Sequence, residues 1–334
     1  MRWMFGSMLA LGCVIGAGKQ ATADNTNNIL ITGYWPPSNE MLRSFSRSPM
    51  QNPTGWVGRN WEGRGYDVHA YFPEFPNGMA GANGRGVGDL EVDYQDTVTD
   101  WARIIEEVHP VAIITFSRAN TVRGWELEPA AQRWKVNSGE ANPPGRTVAL
   151  YTTDYLAPTR PTDAALIAEP VGNIRNNSLP MQQIVNAVAA AMTPAQIDPF
   201  VQTYDPLNPA GFDFGGGFLS GYASYLGCWH HDLNAGPGSA YQCVAAGHIH
   251  VGGMTLVPDA VQATQITLRT LIEHIGPLAT ICRADWNDST DVTVQDIFDY
   301  LGSYFANDGD FNNDGATSVQ DVFDYLGAYF AGCG

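Results

Sequence analysis

Val111-Ala-Ile-Ile-Thr-Phe116 is a short, β-branched and almost wholly apolar run, and Asn28-Ile-Leu-Ile-Thr32 is a second run of the same kind. Such runs are typical of strands that are buried on both faces of a parallel sheet. Between them, the segment 93–107 places apolar side chains at helical spacing, and His109-Pro110 ends it. Because strand, helix and strand in this order form a crossover unit, the sequence predicts an α/β domain.

The domain extends beyond this unit. Segments 179–192 and 260–275 have the apolar periodicity of amphipathic helices. The stretch 135–177 is rich in Pro, Gly, Asn and Thr, so we interpret it as an exposed insertion with one strand-like piece at 147–152. About 260 residues lie between an N-terminal leader and a C-terminal repeat, enough for one large core. We therefore expect one enzyme-sized domain over 24–280.

The C-terminal end repeats with a period of 25 residues, since 294–306 returns almost unchanged as 319–331. Each copy follows an oxygen-rich loop. Loop positions 1, 3, 5, 7 and 12 are Asp285, Asn287, Ser289, Asp291 and Asp296 in the first loop, and Asp310, Asn312, Asp314, Ala316 and Asp321 in the second. Calcium takes about six to eight oxygen ligands, and a loop of this spacing before a helix supplies them, with position 7 using its carbonyl. The alternative is a pair of solvated acidic turns.

These paired loops resemble a dockerin type I module, which implies two structural calcium ions and a cohesin-like docking protein as partner. Gly315 fills the sharp-turn position of the second loop and Thr290 that of the first, so we expect the second site to be tighter. Cys282 and Cys333 flank the repeat and could close the module 282–334 as a disulfide. Helical spacing predicts a small all-α core of Ile297, Tyr300, Leu301, Phe305, Val322, Tyr325, Leu326 and Phe330.

The N-terminus has the pattern of a secretory signal peptide over 1–23. Met1-Arg2 precede an apolar run, and Ala21-Thr22-Ala23 forms an A-x-A cleavage site. Cys13 offers a weaker lipoprotein alternative. We expect the mature chain to be secreted or extracytoplasmic, where disulfides persist, and no second apolar run is long enough to insert in a membrane.

Acidic residues dominate the charge. The 34 Asp and Glu against 17 Lys and Arg give a net charge of −17, and ten aspartates with one arginine fall within 283–334. Such a balance argues against nucleic acid or an anionic membrane as a partner.

The large domain contains two cysteines, Cys228 and Cys243. We expect Cys228 to begin a helix after a Gly-rich turn, where the helix N-terminus would stabilise its thiolate as a nucleophile. His250 ends a strand-like run and would act as the general base, with Glu128 orienting its imidazole. The alternatives are a Cys228–Cys243 disulfide or a metal site. The histidines of that metal site would be His230, His231, His248 and His250.

Six short segments of the large domain occur in the same order as six motifs of a known family, which are given in parentheses. They are Ile29-Leu-Ile-Thr-Gly-Tyr-Trp-Pro36 (V-T-G-F-x-P), His109-Pro-Val-Ala-Ile-Ile114 (P-D-x-V-I), Glu128-Pro-Ala-Ala131 (E-R-V-A), Ser178-Leu-Pro-Met-Gln-Gln-Ile-Val185 (T-L-P-V-x-x-I-V), Ser220, Ala223 and Cys228 (S-x-x-A-G-x-x-x-C), and Gly247-His-Ile-His-Val251 (G-F-I-H-V). They resemble the pyroglutamyl peptidase I family, the pyrrolidone-carboxylate peptidases.

The resemblance implies a three-layer sandwich around a mostly parallel sheet. It also implies a cysteine peptidase that removes an N-terminal pyroglutamyl residue from a peptide substrate, with no cofactor for catalysis. Cys228, His250 and Glu128 would be its triad, and Tyr34 and Trp35 would bind substrate.

The chain departs from the family at three places. Trp229 replaces an Asn, Ser224 replaces a Gly, and Pro37 replaces a Phe that helps to enclose the pyroglutamyl ring, so the substrate is the first property in question. Glu126 lies two residues before Glu128 and could take its role.

Two other functions stay open on the sequence. One is a secreted, non-catalytic binding or scaffold protein on the same fold, locked by a Cys228–Cys243 disulfide. The other is a serine esterase built on Ser220, which is disfavoured because Phe218-Leu-Ser-Gly-Tyr222 lacks a G-x-S-x-G elbow.

Overall fold

A computed structural model describes residues 26–75, 86–119, 123–133, 173–203, 219–236, 239, 241–276, 284–287, 292–312 and 316–331. Several predictions concern other residues. The signal peptide, the 147–152 strand with most of its insertion, Ser289, Asp291, Asp314, Cys282 and Cys333 all lie outside the described residues. These assignments stay predictions.

The central sheet has six strands. The strands within the described residues are β1 (Asn28–Thr32), β2 (Asp67–Tyr71), β3 (Pro73–Glu74), β4 (Val87–Gly88), β5 (Ala112–Ala119), β6 (Gly124–Glu128), β7 (Ala130–Gln132), β8 (Ile174–Asn176), β9 (Asp198–Val201) and β10 (Ala245–Gly252). The sheet order is β2-β1-β5-β10-β6-β9, and every neighbouring pair is parallel except β10 with β6. The predicted mostly parallel sheet is confirmed. The short pairs β3-β4 and β7-β8 lie apart from it.

Helices cover both faces of the sheet. They are α1 (Tyr94–Val108), α2 (Met181–Ala191), α3 (Leu219–Asn234) and α4 (Val257–Ile275), followed in the C-terminal repeat by α5 (Val294–Phe305) and α6 (Val319–Ala331). Side chains alternate between the faces of a strand, so Leu30 and Ile113 pack beneath α1 and α3, whereas Ile31 and Ile114 pack beneath α2 and α4. Each such fully buried side chain contributes roughly 1.5–3 kcal/mol. The three-layer α/β sandwich is confirmed.

The predicted helices α1, α2 and α4 are confirmed to within three residues at each end. Helix α4 begins three residues earlier than predicted, with Pro258 in its first turn, where a missing N–H is tolerated. Among the described residues, no helix combines the length and the apolar character needed to cross a membrane.

The repeat forms a small aromatic core between α5 and α6. Tyr300 and Tyr325, which are 25 residues apart, are fully buried and stack with ring centroids 4.1 Å apart. Two residues predicted for this core, Phe305 and Phe330, are instead 81% and 79% exposed. The prediction was wrong there because five residues turn a helix by about 140°, which carries each Phe away from the face that its Tyr presents.

Candidate active site

Strands β10 and β6 place polar side chains beneath α3. His248 and His250 point to the same face as Ala246, which belongs to the core under α1 and α3. The antiparallel register pairs Glu128 with His248 and Glu126 with His250, and directly paired residues share a face. Two carboxylates and two imidazoles therefore meet on one face of the sheet.

His250 is bound to Glu128. Its Nδ1 lies 2.8 Å from Glu128 Oε1, and the two residues are 8% and 1% exposed. A carboxylate accepts at this distance, so Nδ1 donates and the tautomer is fixed. Glu126, the alternative partner, accepts a hydrogen bond from Gln202 Nε2 at 3.0 Å. The structure thus brings together the second and third members of the predicted triad.

His248 has a different environment. Its Nδ1 lies 2.8 Å from Thr115 Oγ1 and its Nε2 lies 2.9 Å from Ser117 Oγ, and the ring is fully buried. Burial, with a smaller contribution from the neighbouring His250, lowers the pKa of His248 well below its ordinary value. This imidazole is neutral, satisfied on both nitrogens, and unsuited to proton exchange with a substrate.

The four histidines of the predicted metal site do not converge. His230 stacks on Tyr241, and burial lowers the pKa of His230 to about 4. His231 Nδ1 lies 3.0 Å from Asp232 Oδ1. In the described part of the chain, one group of three His, Cys, Asp or Glu could hold a metal ion. It consists of Glu126, Glu128 and His250.

Asn177 supports the Glu128 end of β6, a role that sequence reasoning missed. Its Nδ2 donates to the Glu128 carbonyl at 2.7 Å, and its backbone N–H donates to the Pro129 carbonyl at 3.0 Å. The Asn177 side chain crosses Gly247 so closely that a Cβ there would lie 2.1 Å from Asn177 Oδ1. The glycine of the Gly247-His-Ile-His250 run is the sequence signal for this close approach.

Cys228 does not lie where the sequence predicted. Helix α3 begins at Leu219, so Cys228 is its tenth residue, far from the N-terminal N–H groups. The thiol is 1% exposed, and burial raises its pKa to about 12. The prediction that Cys228 begins a helix was wrong, and so was the expectation that its thiol is held ionised.

The predicted disulfide alternative is also corrected. Cys228 and Cys243 are both free and buried. The disulfide that was predicted to hold together a non-catalytic scaffold protein is therefore absent from this structure.

Tyr34 and Trp35 follow the carboxyl end of β1. Because β1 and β10 run in the same direction, these residues lie at the sheet edge toward which His250 is directed. Tyr34 is 4% exposed, with its hydroxyl 3.3 Å from Thr97 Oγ1, while Trp35 is half-buried. Contact of either residue with substrate stays a prediction.

The two predicted calcium loops have matching hydrogen bonds. Asp296 accepts from the backbone N–H of Asn287 at 3.2 Å and of Thr293 at 2.7 Å. Asp321 repeats this pattern with Asn312 at 3.0 Å and residue 318 at 2.7 Å. Both carboxylates are fully buried in their loops. Buried carboxylates with further Asp and Asn oxygens in the same loop are the donor set that a hard cation prefers.

No family model matches the sequence, and no curated protein matches it. Several solved pyrrolidone carboxyl peptidases are similar to it in structure. The enzyme from Thermococcus litoralis is 14% identical with a TM-score of 0.46, covering 75% of this chain and 96% of its own. The enzyme from Pyrococcus furiosus is 13% identical with a TM-score of 0.45, covering 74% and 99%. Pyroglutamyl peptidase I from Bacillus amyloliquefaciens is 13% identical with a TM-score of 0.43, covering 74% and 98%. This similarity concerns the fold, and no residue role is transferred from it.

Proposed function

We propose that the large domain is a peptidase-like hydrolase in which His250 is the general base and Glu128 orients it. The observation that carries this proposal is the 2.8 Å hydrogen bond between His250 Nδ1 and the buried Glu128 carboxylate. His250 is the sixth residue of the eight-residue strand β10, near its carboxyl end, where reactions on open α/β sheets take place.

The geometry suits nucleophilic catalysis on a carbonyl carbon. With Nδ1 bound to Glu128, Nε2 is the nitrogen that would take a proton from the nucleophile and return it to the leaving amine. The Glu128 carboxylate would stabilise the imidazolium that forms between these steps. The second candidate is a metal hydrolase, in which Glu126, Glu128 and His250 would hold the ion.

The proposed substrate is a peptide with an N-terminal pyroglutamyl or related residue. Support comes from the six ordered sequence blocks, and it agrees with the names of the structurally similar proteins. Tyr34 and Trp35 would enclose the substrate ring at the edge of the sheet.

For the repeat, we propose two structural calcium ions and a role in docking a protein. Asp285, Asn287 and Asp296 would hold one ion with the ligands outside the described residues, and Asp310, Asn312, Ala316 and Asp321 would hold the other. Exposed apolar residues occur in pairs 25 residues apart, which favours a partner surface. The pairs are Val294 with Val319, Phe298 with Phe323, and Phe305 with Phe330. The predicted signal peptide would place this module outside the cytoplasm.

Hydrolysis of a fluorogenic pyroglutamyl amide by the full chain tests the catalytic proposal. His250→Ala should lower kcat/KM by at least about a thousand-fold, because general-base activation is lost. His231→Ala is the matched control and should retain the wild-type rate, since His231 lies in the last turn of α3, away from His250. Equal activity of the His250→Ala variant and the wild type would contradict the proposal, and a leucyl amide in parallel reports the substrate preference.

A further inference from the structure

Contacts at the C-terminal end of α3 show which end of this helix lies at which edge of the sheet. Asn234, its last residue, accepts a hydrogen bond at 3.1 Å from the backbone N–H of Cys243, two residues before β10 begins. His230, in the last turn, stacks on Tyr241 with ring centroids 5.7 Å apart. The C-terminal end of α3 therefore lies at the amino edge of the sheet, and its first turn lies toward the carboxyl edge with His250.

Gly227 shows which part of β5 lies beneath α3. A Cβ on Gly227 would lie 3.6 Å from methyl groups of both Ile113 and Thr115 on β5. Ser220 is seven residues nearer the N-terminus, about 10 Å along the helix axis. On β5, three residues span about the same distance. Counted from the point between Ile113 and Thr115, they lead to Ser117, which pairs with His250. Ser220 and His250 therefore lie at about the same position along the direction of the strands.

Ser220 also lies on the correct face of the helix. Seven residues make nearly two turns, so Ser220 and Gly227 share the face that meets the sheet. Ser224 belongs to this face as well, but it is 1% exposed, whereas Ser220 is only partly buried. Cys228 is eight residues, about 12 Å, further toward the amino edge than Ser220.

We propose that Ser220, and not Cys228, is the nucleophile, so that the catalytic group is Ser220, His250 and Glu128. This inference rests on the proposed hydrolase function and names the group that attacks. Ser220 is the second described residue of α3, at the end of the helix that lies toward the carboxyl edge of the sheet with His250. The missing G-x-S-x-G pattern is no objection, because that pattern serves a strand-to-helix elbow and Ser220 is already within the helix.

The reaction balances without a further reactant. Ser220 Oγ would bond to the carbonyl carbon as its proton passes to His250 Nε2. The C–N bond would then break as that proton passes to the leaving amine, giving an ester on Ser220. Water would add to the ester by the same proton path and release the acid and free Ser220.

A fluorophosphonate probe tests the assignment without knowledge of the substrate, because an activated serine oxygen displaces its fluoride and stays bonded to phosphorus. Peptide mapping should find the adduct on Ser220, and Ser220→Ala and His250→Ala should each abolish it. Ser224→Ala and Cys228→Ala are controls on the same helix. Their rates of labelling by the probe and of pyroglutamyl amide hydrolysis should stay within about three-fold of wild type.

A second variant guards against a folding artefact. Ser220→Cys, combined with Cys228→Ala, should react with iodoacetamide at neutral pH at least about ten-fold faster than wild type, and His250→Ala should remove this gain. Hydrolysis that survives Ser220→Ala but not His250→Ala would overturn the Ser220 assignment while leaving the proposed function intact. His250-dependent labelling of Ser220 without pyroglutamyl hydrolysis would support the nucleophile and overturn the proposed substrate.

Discussion

Glu128→Gln isolates the charge that faces His250. The amide keeps the volume of the 1% exposed side chain and can still accept from Nδ1, but it cannot neutralise an imidazolium. Loss or misorientation of the carboxylate in such a unit lowers kcat by up to about ten-thousand-fold. We therefore expect a loss of about a thousand- to ten-thousand-fold in kcat/KM, or about 4–5.5 kcal/mol of transition-state stabilisation. The free energy of unfolding should fall by only about 1–3 kcal/mol, the contribution of one charge-assisted hydrogen bond.

Glu126→Gln is the matched control for this change. Glu126 shares the strand and the face, and its carboxylate accepts a hydrogen bond from Gln202 Nε2. We expect its kcat/KM to stay within about five-fold of wild type. The assay is pyroglutamyl amide hydrolysis, with urea unfolding of the same samples. Equal rate losses in the two variants, or an unchanged rate in Glu128→Gln, would refute the assigned roles.

Three further predictions concern stability and accessibility. Burial holds the pKa of His69 at about 3 and of His230 at about 4, and that of His248 well below 6.5, so below pH 6.5 only the unfolded chain gains these protons. The free energy of unfolding in urea should be nearly constant from pH 7 to 8 and fall on acidification by about 1.4 kcal/mol per pH unit per histidine; a flat profile to pH 4.5 would contradict this. Iodoacetamide at pH 8 should leave Cys228 and Cys243 unmodified in native protein and alkylate both in urea, as mass spectrometry will show. A calcium chelator should lower the melting temperature of the repeat and leave hydrolysis unchanged, and identical melting with and without chelator would count against the calcium sites.

Sequence patterns correctly predicted the strands that have the same apolar environment on both faces. Strands β1 and β5 are buried on both faces, so continuous apolar runs revealed them. Strand β6 was missed because its Trp125-Glu-Leu-Glu128 run alternates, with Trp125 and Leu127 in the core under α2 and α4 and the carboxylates on the other face. That alternation was the available signal for a strand with one polar face.

The start of α3 was predicted too late in the sequence. The described part of α3 starts at Leu219, close after the Gly-rich stretch 215–217 of the sequence, so Cys228 is at least the tenth residue of the helix. Small and polar residues such as Gly221 and Gly227 hide the helical periodicity of this segment. The contact of His250 with Glu128, 122 residues away in sequence, depends on the strand order β10-β6, which local patterns do not contain.

The most direct measurement is a crystal structure of the full chain with the aldehyde analogue of pyroglutamate, which forms a reversible covalent bond with an activated nucleophile. We predict electron density for a hemiacetal joining the aldehyde carbon to Ser220 Oγ, with His250 Nε2 within hydrogen-bonding distance and Glu128 still bound to Nδ1. An aldehyde bonded to Cys228, or an analogue bound away from His250 in crystals that are saturated with it, would contradict this site.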